Sequence, residues 1–242
     1  MARFTREITA PTKSKNNKLD MSVIILSAGV GSRIKSNEPR SLIKIGTKTL
    51  LEHQIDLINN NLNNHEIIGV FGYAIEKIIR KVYGKVRVVE NQLYENTNNS
   101  ESLRLAVNNA SRRNIMFFHG DLYFNDAVFK SIDFKKSFLV VDRKEMMKSK
   151  EIGVTIQNNK ATILSYGLPT KWCQIAFITG KELKILRNVL SKLQGSQKKM
   201  LSFEVINKMI SMGANFECYE PNNMSILEID CIKDIKNENF NL

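Results

Sequence analysis

Ser22-Val23-Ile24-Ile25-Leu26-Ser27-Ala28-Gly29-Val30-Gly31-Ser32-Arg33 is the stretch whose reading decides the fold. Its first half is a short β-branched run, the pattern of a strand buried on both faces in a parallel sheet. Its second half is a glycine turn. Such a turn brings backbone N–H groups close to phosphate oxygens, and Arg33 adds a planar fork of donors. Two familiar phosphate motifs fail on spacing. Gly46-Thr47-Lys48-Thr49 has no glycine at the upstream position that a Walker loop requires, and a dinucleotide fingerprint would need glycine where Ile34 stands. Taken alone, the turn also reads as a plain strand-to-loop connection without a ligand.

Outward from this stretch, apolar spacing predicts a helix over 49–61, starting at a Thr. A second buried strand follows over 66–71, a helix over 73–83 and a third strand over 86–89. A polar loop, 90–99, precedes a helix over 100–110, for which Asn99 or Ser100 can serve as N-cap. Residues 114–119 form a fourth strand ending at Gly120-Asp121. Strand and helix thus alternate at about thirty residues per unit, which implies an α/β fold with a mainly parallel sheet covered by helices on both faces. Ligands of such sheets sit at the carboxyl ends of the strands. The glycine turn, the polar loop and Gly120-Asp121 all lie at such ends.

Beyond residue 136 the rhythm changes. Short strands are predicted over 137–141, 152–157, 162–166 and 174–178, with Asn158-Asn159 as a hairpin turn. Helices over 182–193 and 202–212 follow, then a strand over 216–219. Residues 226–230 lead into a terminal helix.

The chain has 242 residues and a formal net charge of +12. Basic charge of that size suits nucleotides, phosphorylated substrates or nucleic acid without choosing among them. With no RNP-type aromatic motif, zinc finger or helix-turn-helix pattern, no dedicated nucleic-acid site is expected. Cys173, Cys218 and Cys231 show no metal-ligand spacing and are expected to be reduced thiols. His53, His65 and His119 are equally dispersed, and His119 reads as a packed strand residue. No stretch reaches the roughly 18 to 20 apolar residues of a membrane span, and no secretory h-region opens the chain. A cytoplasmic location is the default expectation. Residues 1–20 read as a flexible basic tail.

Leu26 to Arg33, followed by Pro39-Arg40-Ser41-Leu42-Ile43-Lys44-Ile45-Gly46-Thr47-Lys48-Thr49-Leu50-Leu51-Glu52, resembles the sugar-phosphate nucleotidyltransferase superfamily. Its members open with LAAGxGSR and continue with PKxLxxIxGKPLLE. The likeness runs on through Gly72-Tyr73, Asn98-Asn99, Gly120-Asp121 and Glu228-Ile229-Asp230. Tyr94 to Leu103, with its aromatic, Asn-Asn and Ser-Leu order, is most similar to the phosphocholine and aminoalkylphosphonate cytidylyltransferases.

The resemblance implies a nucleotide-diphospho-sugar transferase-like, Rossmann-like mixed sheet. It forms a single domain over 21–242, with a nucleotide-binding half (21–135) and an acceptor-binding half (136–242). It also implies nucleotide contacts from Leu26, Ser27, Ala28, Gly29, Gly31, Ser32, Asn98, Asn99 and Ser102. Arg33, Arg40 and Lys44 are the implied catalytic cations. The family usually carries Lys where Arg40 stands; Arg keeps the charge but offers a fork instead of a point ammonium.

The implied cofactor is Mg²⁺, held by Asp121 and Asp230, since Mg²⁺ favours one or two carboxylates with phosphate oxygens and waters. The implied partners are CTP or another NTP and a small phosphorylated or phosphonylated acceptor. A homodimer is compatible with the sequence. Weaker acceptor-site candidates are Glu204 and Glu101, together with Tyr166 and Trp172, an aromatic pair able to enclose a quaternary ammonium. A sugar-1-phosphate uridylyl- or thymidylyltransferase, and a catalytically silent regulator on the same fold, are the alternative readings.

Overall fold

The computed structural model describes residues 19–29, 38–130, 134–144, 151–229 and 234. The basic tail up to residue 18, Gly31-Ser32-Arg33, Asp230 and the terminal helix expected after it lie outside the described residues.

The first half contains β1 (Met21–Ser27), a 3-10 turn (Arg40–Leu42), the short hairpin β2 (Lys44–Ile45) and β3 (Lys48–Thr49), α1 (Leu50–Asn61), β4 (His65–Phe71), α2 (Ile75–Val82), β5 (Arg87–Glu90), α3 (Asn99–Asn109) and β6 (Asn114–His119). β7 (Leu122–Phe124) ends the first half, and the second half contains β8 (Phe138–Asp142), β9 (Ile152–Gln157), β10 (Lys160–Tyr166), β11 (Thr170–Ile178), α4 (Gly180–Ser191), a 3-10 segment (Gly195–Lys199), α5 (Ser202–Ser211), β12 (Glu217–Tyr219) and β13 (Ile226–Glu228).

Nine strands form one sheet in the order β5-β4-β1-β6-β11-β8-β12-β10-β9. β1 lies between β4 and β6 and runs parallel to both. That is the expected parallel unit. The second half joins antiparallel, through β11 against β6 and β8, while β12 runs parallel to β8, so the whole sheet is mixed. Outside it, β13 pairs antiparallel with β7, a contact between segments about a hundred residues apart that the sequence reading does not contain.

Alternation along the strands divides the core. Ile24 and Leu26 of β1 face Leu103, Ala106, Leu186 and Val205, which come from α3, α4 and α5. Met21, Val23 and Ile25 face the opposite side, with Leu51, Ile55, Ile78 and Val82 of α1 and α2. Both faces are therefore covered, as the continuous apolar run of β1 requires.

Local chemistry sets several element ends. Thr49 caps α1 in a reciprocal box with Glu52: the Glu52 N–H donates to Thr49 Oγ1 at 3.2 Å and the Thr49 N–H to Glu52 Oε2 at 2.8 Å. Asn158 and Asn159 both adopt positive φ, 49° and 60°, as a tight hairpin turn of the twisted β9–β10 ribbon demands. The expected helix 73–83 is trimmed to Ile75–Val82, because Ala74 before it is left-handed with φ 50°. α3 begins one residue earlier than expected, and its N-cap is Asn98, not Asn99 or Ser100.

Candidate active site

The carboxyl ends of β1, β4 and β6 converge where the chain order reverses, the usual ligand crevice of an open α/β sheet. The close approach of β1 and β6 there depends on Gly120. Its N–H donates to the Leu26 carbonyl at 2.8 Å. A Cβ at this position would lie 2.5 Å from the Ser27 Cβ. The Tyr73 N–H donates to the Ala28 carbonyl at 3.1 Å, which ties the start of the glycine turn to the end of β4. Gly29 is exposed and a Cβ there would meet nothing within 4 Å, so its backbone faces open space.

Asp121 follows Gly120 and is held from three sides. Its carbonyl accepts the Ile229 N–H at 2.8 Å. Gln54 of α1, fully buried, donates from Nε2 to the Leu122 carbonyl at 2.7 Å, fixing the turn after β6. Arg40 Nη1 sits 3.0 Å from Asp121 Oδ2, with both side chains 18% exposed. The other carboxylate oxygen, Oδ1, is buried and has no hydrogen-bond partner among the described residues. A buried, unpaired acceptor oxygen is costly unless a ligand satisfies it, and hard carboxylate oxygen is the donor that Mg²⁺ prefers. Asp121 thus fits a metal ligand chemically. Among the described residues no cluster of three His, Cys, Asp or Glu side chains is present.

Lys44 is exposed on the β2–β3 hairpin. That hairpin is anchored by a small apolar cluster of Ile45, Leu50 and Ile229, with Tyr123 packed against it. The same residues therefore steady the Lys44 hairpin and the residue preceding Asp230.

The polar loop after β5 is organised by Asn91, which is buried. Its Nδ2 donates to Thr97 Oγ1 and Ser102 Oγ, both at 3.1 Å, and its Oδ1 accepts the Leu93 N–H at 3.1 Å. Ser102, expected to touch nucleotide, is buried and engaged with Asn91. Asn98 is exposed; its Oδ1 accepts the Asn99 N–H at 2.9 Å, and its own N–H donates to the Lys198 carbonyl at 2.9 Å. The Gly195–Lys199 segment thus braces the start of α3 from the second half, and Ser100 Oγ adds a bond to the Gln197 carbonyl at 3.1 Å.

Glu101 belongs to this brace. Arg104 grips its carboxylate with two bonds of 2.7 Å, and Lys198 lies 3.5 Å away. The Arg104 hydrogen bonds hold its carboxyl below the usual carboxylate range, against the opposing effect of burial.

His119, at the end of β6, has more partners than a merely packed strand residue. Its Nε2 lies 2.9 Å from Ser202 Oγ and 3.3 Å from Asn99 Nδ2. Burial pushes the ring's pKa down, outweighing the upward pull of Asp121 and Gln174. Gln174 stands in a bulge of β11 with a left-handed φ of 58°, and its Nε2 donates to Glu228 Oε2 at 2.7 Å. The sequence reading starts its strand at Gln174, whereas β11 runs from Thr170 straight through this irregularity. A left-handed glutamine inside a strand carries no local sequence signal.

The remaining acceptor candidates separate. Trp172 is 2% exposed and its indole N–H donates to the Ile175 carbonyl at 3.2 Å, so it is a core residue. Tyr166 is 52% exposed and meets the Phe203 ring edge-on at 5.7 Å. Glu204 Oε2 accepts the Leu201 N–H at 2.7 Å, which caps α5. Trp172 and Tyr166 thus do not come together as an aromatic enclosure.

Residues 23–132 match the MobA-like NTP transferase domain. Over that segment the chain is similar to nucleotidyltransferases. A choline-phosphate cytidylyltransferase of Streptococcus pneumoniae is 27% identical over 248 aligned residues, covering 90% of this chain and 100% of that protein. The bifunctional protein GlmU of Methanococcus maripaludis is 30% identical over 138 residues, 55% of this chain and 33% of that protein. Among solved structures, the CTP:phosphocholine cytidylyltransferase LicC from Streptococcus pneumoniae superposes with a TM-score of 0.73 at 22% identity, covering 90% of this chain and 97% of that one. The inositol-1-phosphate CTP transferase of T. maritima gives 0.68 at 20% identity, covering 88% and 90%. These structures share the fold. No helix among the described residues is long and apolar enough to cross a membrane.

Proposed function

We propose that this nucleotidyltransferase is a Mg²⁺-dependent cytidylyltransferase that joins the α-phosphate of CTP to a small phosphorylated or phosphonylated acceptor and releases pyrophosphate. The observation that carries the proposal is Asp121 at the crevice, with a buried unpaired Oδ1 and with Arg40 on Oδ2. The reading is further supported by the full-length likeness to a choline-phosphate cytidylyltransferase.

An acceptor phosphate or phosphonate oxygen forms a bond to the α-phosphorus as the bond to the β-phosphate oxygen breaks. Both electrons of that bond leave with pyrophosphate, and no covalent enzyme intermediate is required. Catalysis in such a transfer comes from alignment and neutralisation of charge. The backbone of residues 28–29 lies where phosphates approach a strand end. Arg40, Lys44 and, from the sequence, Arg33 supply positive charge to the phosphate oxygens. Asn98 and Asn99 open the loop assigned to the base. Asp121, with Asp230 from the sequence, would hold Mg²⁺, which when bound neutralises and orients triphosphate oxygens.

The test is pyrophosphate release with each of four NTPs, Mg²⁺ and a panel including phosphocholine, 2-aminoethylphosphonate and sugar 1-phosphates. Turnover with CTP is expected. Turnover only with UTP or dTTP and a sugar phosphate overturns the cytidylyl reading, and silence throughout favours a regulator.

A further inference from the structure

Inside the strand β11, Gln174 holds a left-handed backbone with φ 58°. The other described non-glycine residues at positive φ are Ala74, Asn158, Asn159 and Asn223, all in turns or at a helix start. Left-handed backbone is costly for residues other than glycine and asparagine, and such strain persists only where the surrounding structure over-determines it. The bulge around Gln174 shows what does so. Trp172 pairs with Val141 and Ala176 with Leu139, so four steps along β11 answer two along β8. Irregularities of this kind re-aim a side chain. Here the Gln174 amide reaches out of the nine-stranded sheet to β13, and its Nε2 donates to Glu228 Oε2 at 2.7 Å. A carboxylate only accepts, so the NH₂ of the amide must face it.

Glu228 is the last residue of β13. It pairs with Leu122 of β7, and the next N–H, that of Ile229, donates to the Asp121 carbonyl at 2.8 Å. β7 and β13 have three residues each and form a separate two-stranded sheet, too small to hold its own geometry. The turn at Asp121 is fixed from α1 by Gln54, whose Nε2 donates to the carbonyls of Leu122 and His119 at 2.7 and 3.4 Å. Gln174 fixes it from the β13 side, by tying that strand to the main sheet.

We propose that Gln174 is a positioning residue for Asp121: its strained backbone lets the side chain grip Glu228, and through β13 this grip sets where the Asp121 turn stands. The catalytic part of this inference rests on the role given to Asp121 under the proposed function; the tie itself rests on the hydrogen bonds. Glycine is at home in the left-handed region, so Gln174→Gly removes the strain and the grip together. Stability is then held while function falls, the reverse of what a residue kept for stability would show.

The experiment compares wild type, Gln174→Gly and Gln174→Asn in three measurements. Asparagine also tolerates left-handed backbone but is one methylene short of Glu228. Thermal unfolding by circular dichroism is expected to stay within a few degrees of wild type in both variants, as relief of strain offsets the lost bond. Amide hydrogen exchange, read without nucleotide or metal, is expected to speed up roughly tenfold or more at Ile229, the scale of a lost charge-assisted hydrogen bond. Exchange at Ile24 and Phe117, in the central strands, is expected to remain as in wild type. Pyrophosphate release from CTP is expected to show kcat lowered roughly tenfold or more with KM nearly unchanged, as for an interaction realised in the transition state. Unchanged exchange at Ile229 overturns the proposal, and so does a wild-type kcat beside accelerated exchange. A large fall in Tm with exchange raised throughout the sheet gives Gln174 a purely structural role and overturns it as well. If Gln174→Gly does not fold, Gln174→Asn decides on the same measurements. A wild type that releases pyrophosphate from no NTP overturns the catalytic reading of Asp121, whereas the tie is decided by exchange at Ile229 alone.

Discussion

Replacing Gly120 by alanine puts a methyl group into the tightest backbone approach of the site. Its Cβ would stand 2.5 Å from the Ser27 Cβ, 2.7 Å from Ser27 Oγ and 3.3 Å from the Leu26 carbonyl oxygen. Ordinary contact starts near 3.4 Å, so the ends of β1 and β6 have to separate by about 1 Å or twist past one another. The 2.8 Å bond from the Gly120 N–H to Leu26 resists that separation. Overpacking of this kind costs about 1–3 kcal/mol, which for a domain of this length lowers Tm by roughly 2–12 °C. The larger consequence is for chemistry. Asp121 and the phosphate-facing turn sit on the two strands being forced apart, and a misplacement of about 1 Å at a reacting centre costs roughly 100-fold in rate. Urea unfolding followed through the fluorescence of buried Trp172, together with pyrophosphate release from CTP, measures both effects. Gly29→Ala is the matched control, because a Cβ there meets nothing within 4 Å. It is expected to retain wild-type stability while weakening nucleotide binding, since the added methyl stands on backbone that the proposed function assigns to phosphate. Wild-type stability and turnover in Gly120→Ala would refute the argument that this contact sets the geometry of the site.

Arg40→Ala is expected to lower kcat by roughly 100- to 1000-fold by removing a preorganised charge, with Arg40→Lys recovering part of the loss; a kcat in Arg40→Ala within a few-fold of wild type, in the same pyrophosphate assay, rules out the assigned role. Glu101→Gln is expected to destabilise by about 1.5–3 kcal/mol, the range for hydrogen bonds to a charged group. The native Glu101 carboxyl lies below its ordinary range, so its stabilisation is full above the unfolded pKa and is lost as pH falls through the lowered native value. Glu101→Gln should therefore flatten the acid limb of the stability curve, and an unchanged limb contradicts the brace. Burial pushes the Cys218 thiol up to about 11, and Cys173 is buried as well. In a Cys231→Ser background an aromatic disulfide reagent should leave the native protein unlabelled at pH 8 and modify both thiols in urea; rapid labelling of the folded form would contradict this packing.

Much of the first half was legible because its signals are local. The run 22–26 becomes a strand, and glycine and aspartate appear at strand ends, where chain direction alone sets a ligand crevice. The Asn158-Asn159 turn was equally readable, since left-handed φ selects asparagine after glycine. Contacts joining distant segments were not readable. Gln54 looks like one more polar residue on an amphipathic helix, but it is fully buried beneath the turn after β6, 68 positions away. Asn98 and Asn99 read as base contacts, with Asn99 or Ser100 as the cap. The structure gives the cap to Asn98 and turns the Asn99 side chain to His119, whose Nε2 also meets Ser202 of α5. Glu204 and Trp172 were singled out by residue type, yet helix capping and core packing account for them. Residue type alone does not distinguish a side chain facing a crevice from one facing a neighbouring element.

The seam between β6 and β11 sets how the enzyme can move. Ile175 to Ile178 of β11 are laddered to Phe118 back to Ile115 of β6, so the first and second halves of the chain share one continuous sheet. Opening them like a clamshell would break a row of interstrand hydrogen bonds and shear two apolar layers at once. On the proposed function, enclosing a substrate falls to segments outside the ladder, which among the described residues include the β2–β3 hairpin, the loop at 91–98 and the Gly195–Lys199 segment.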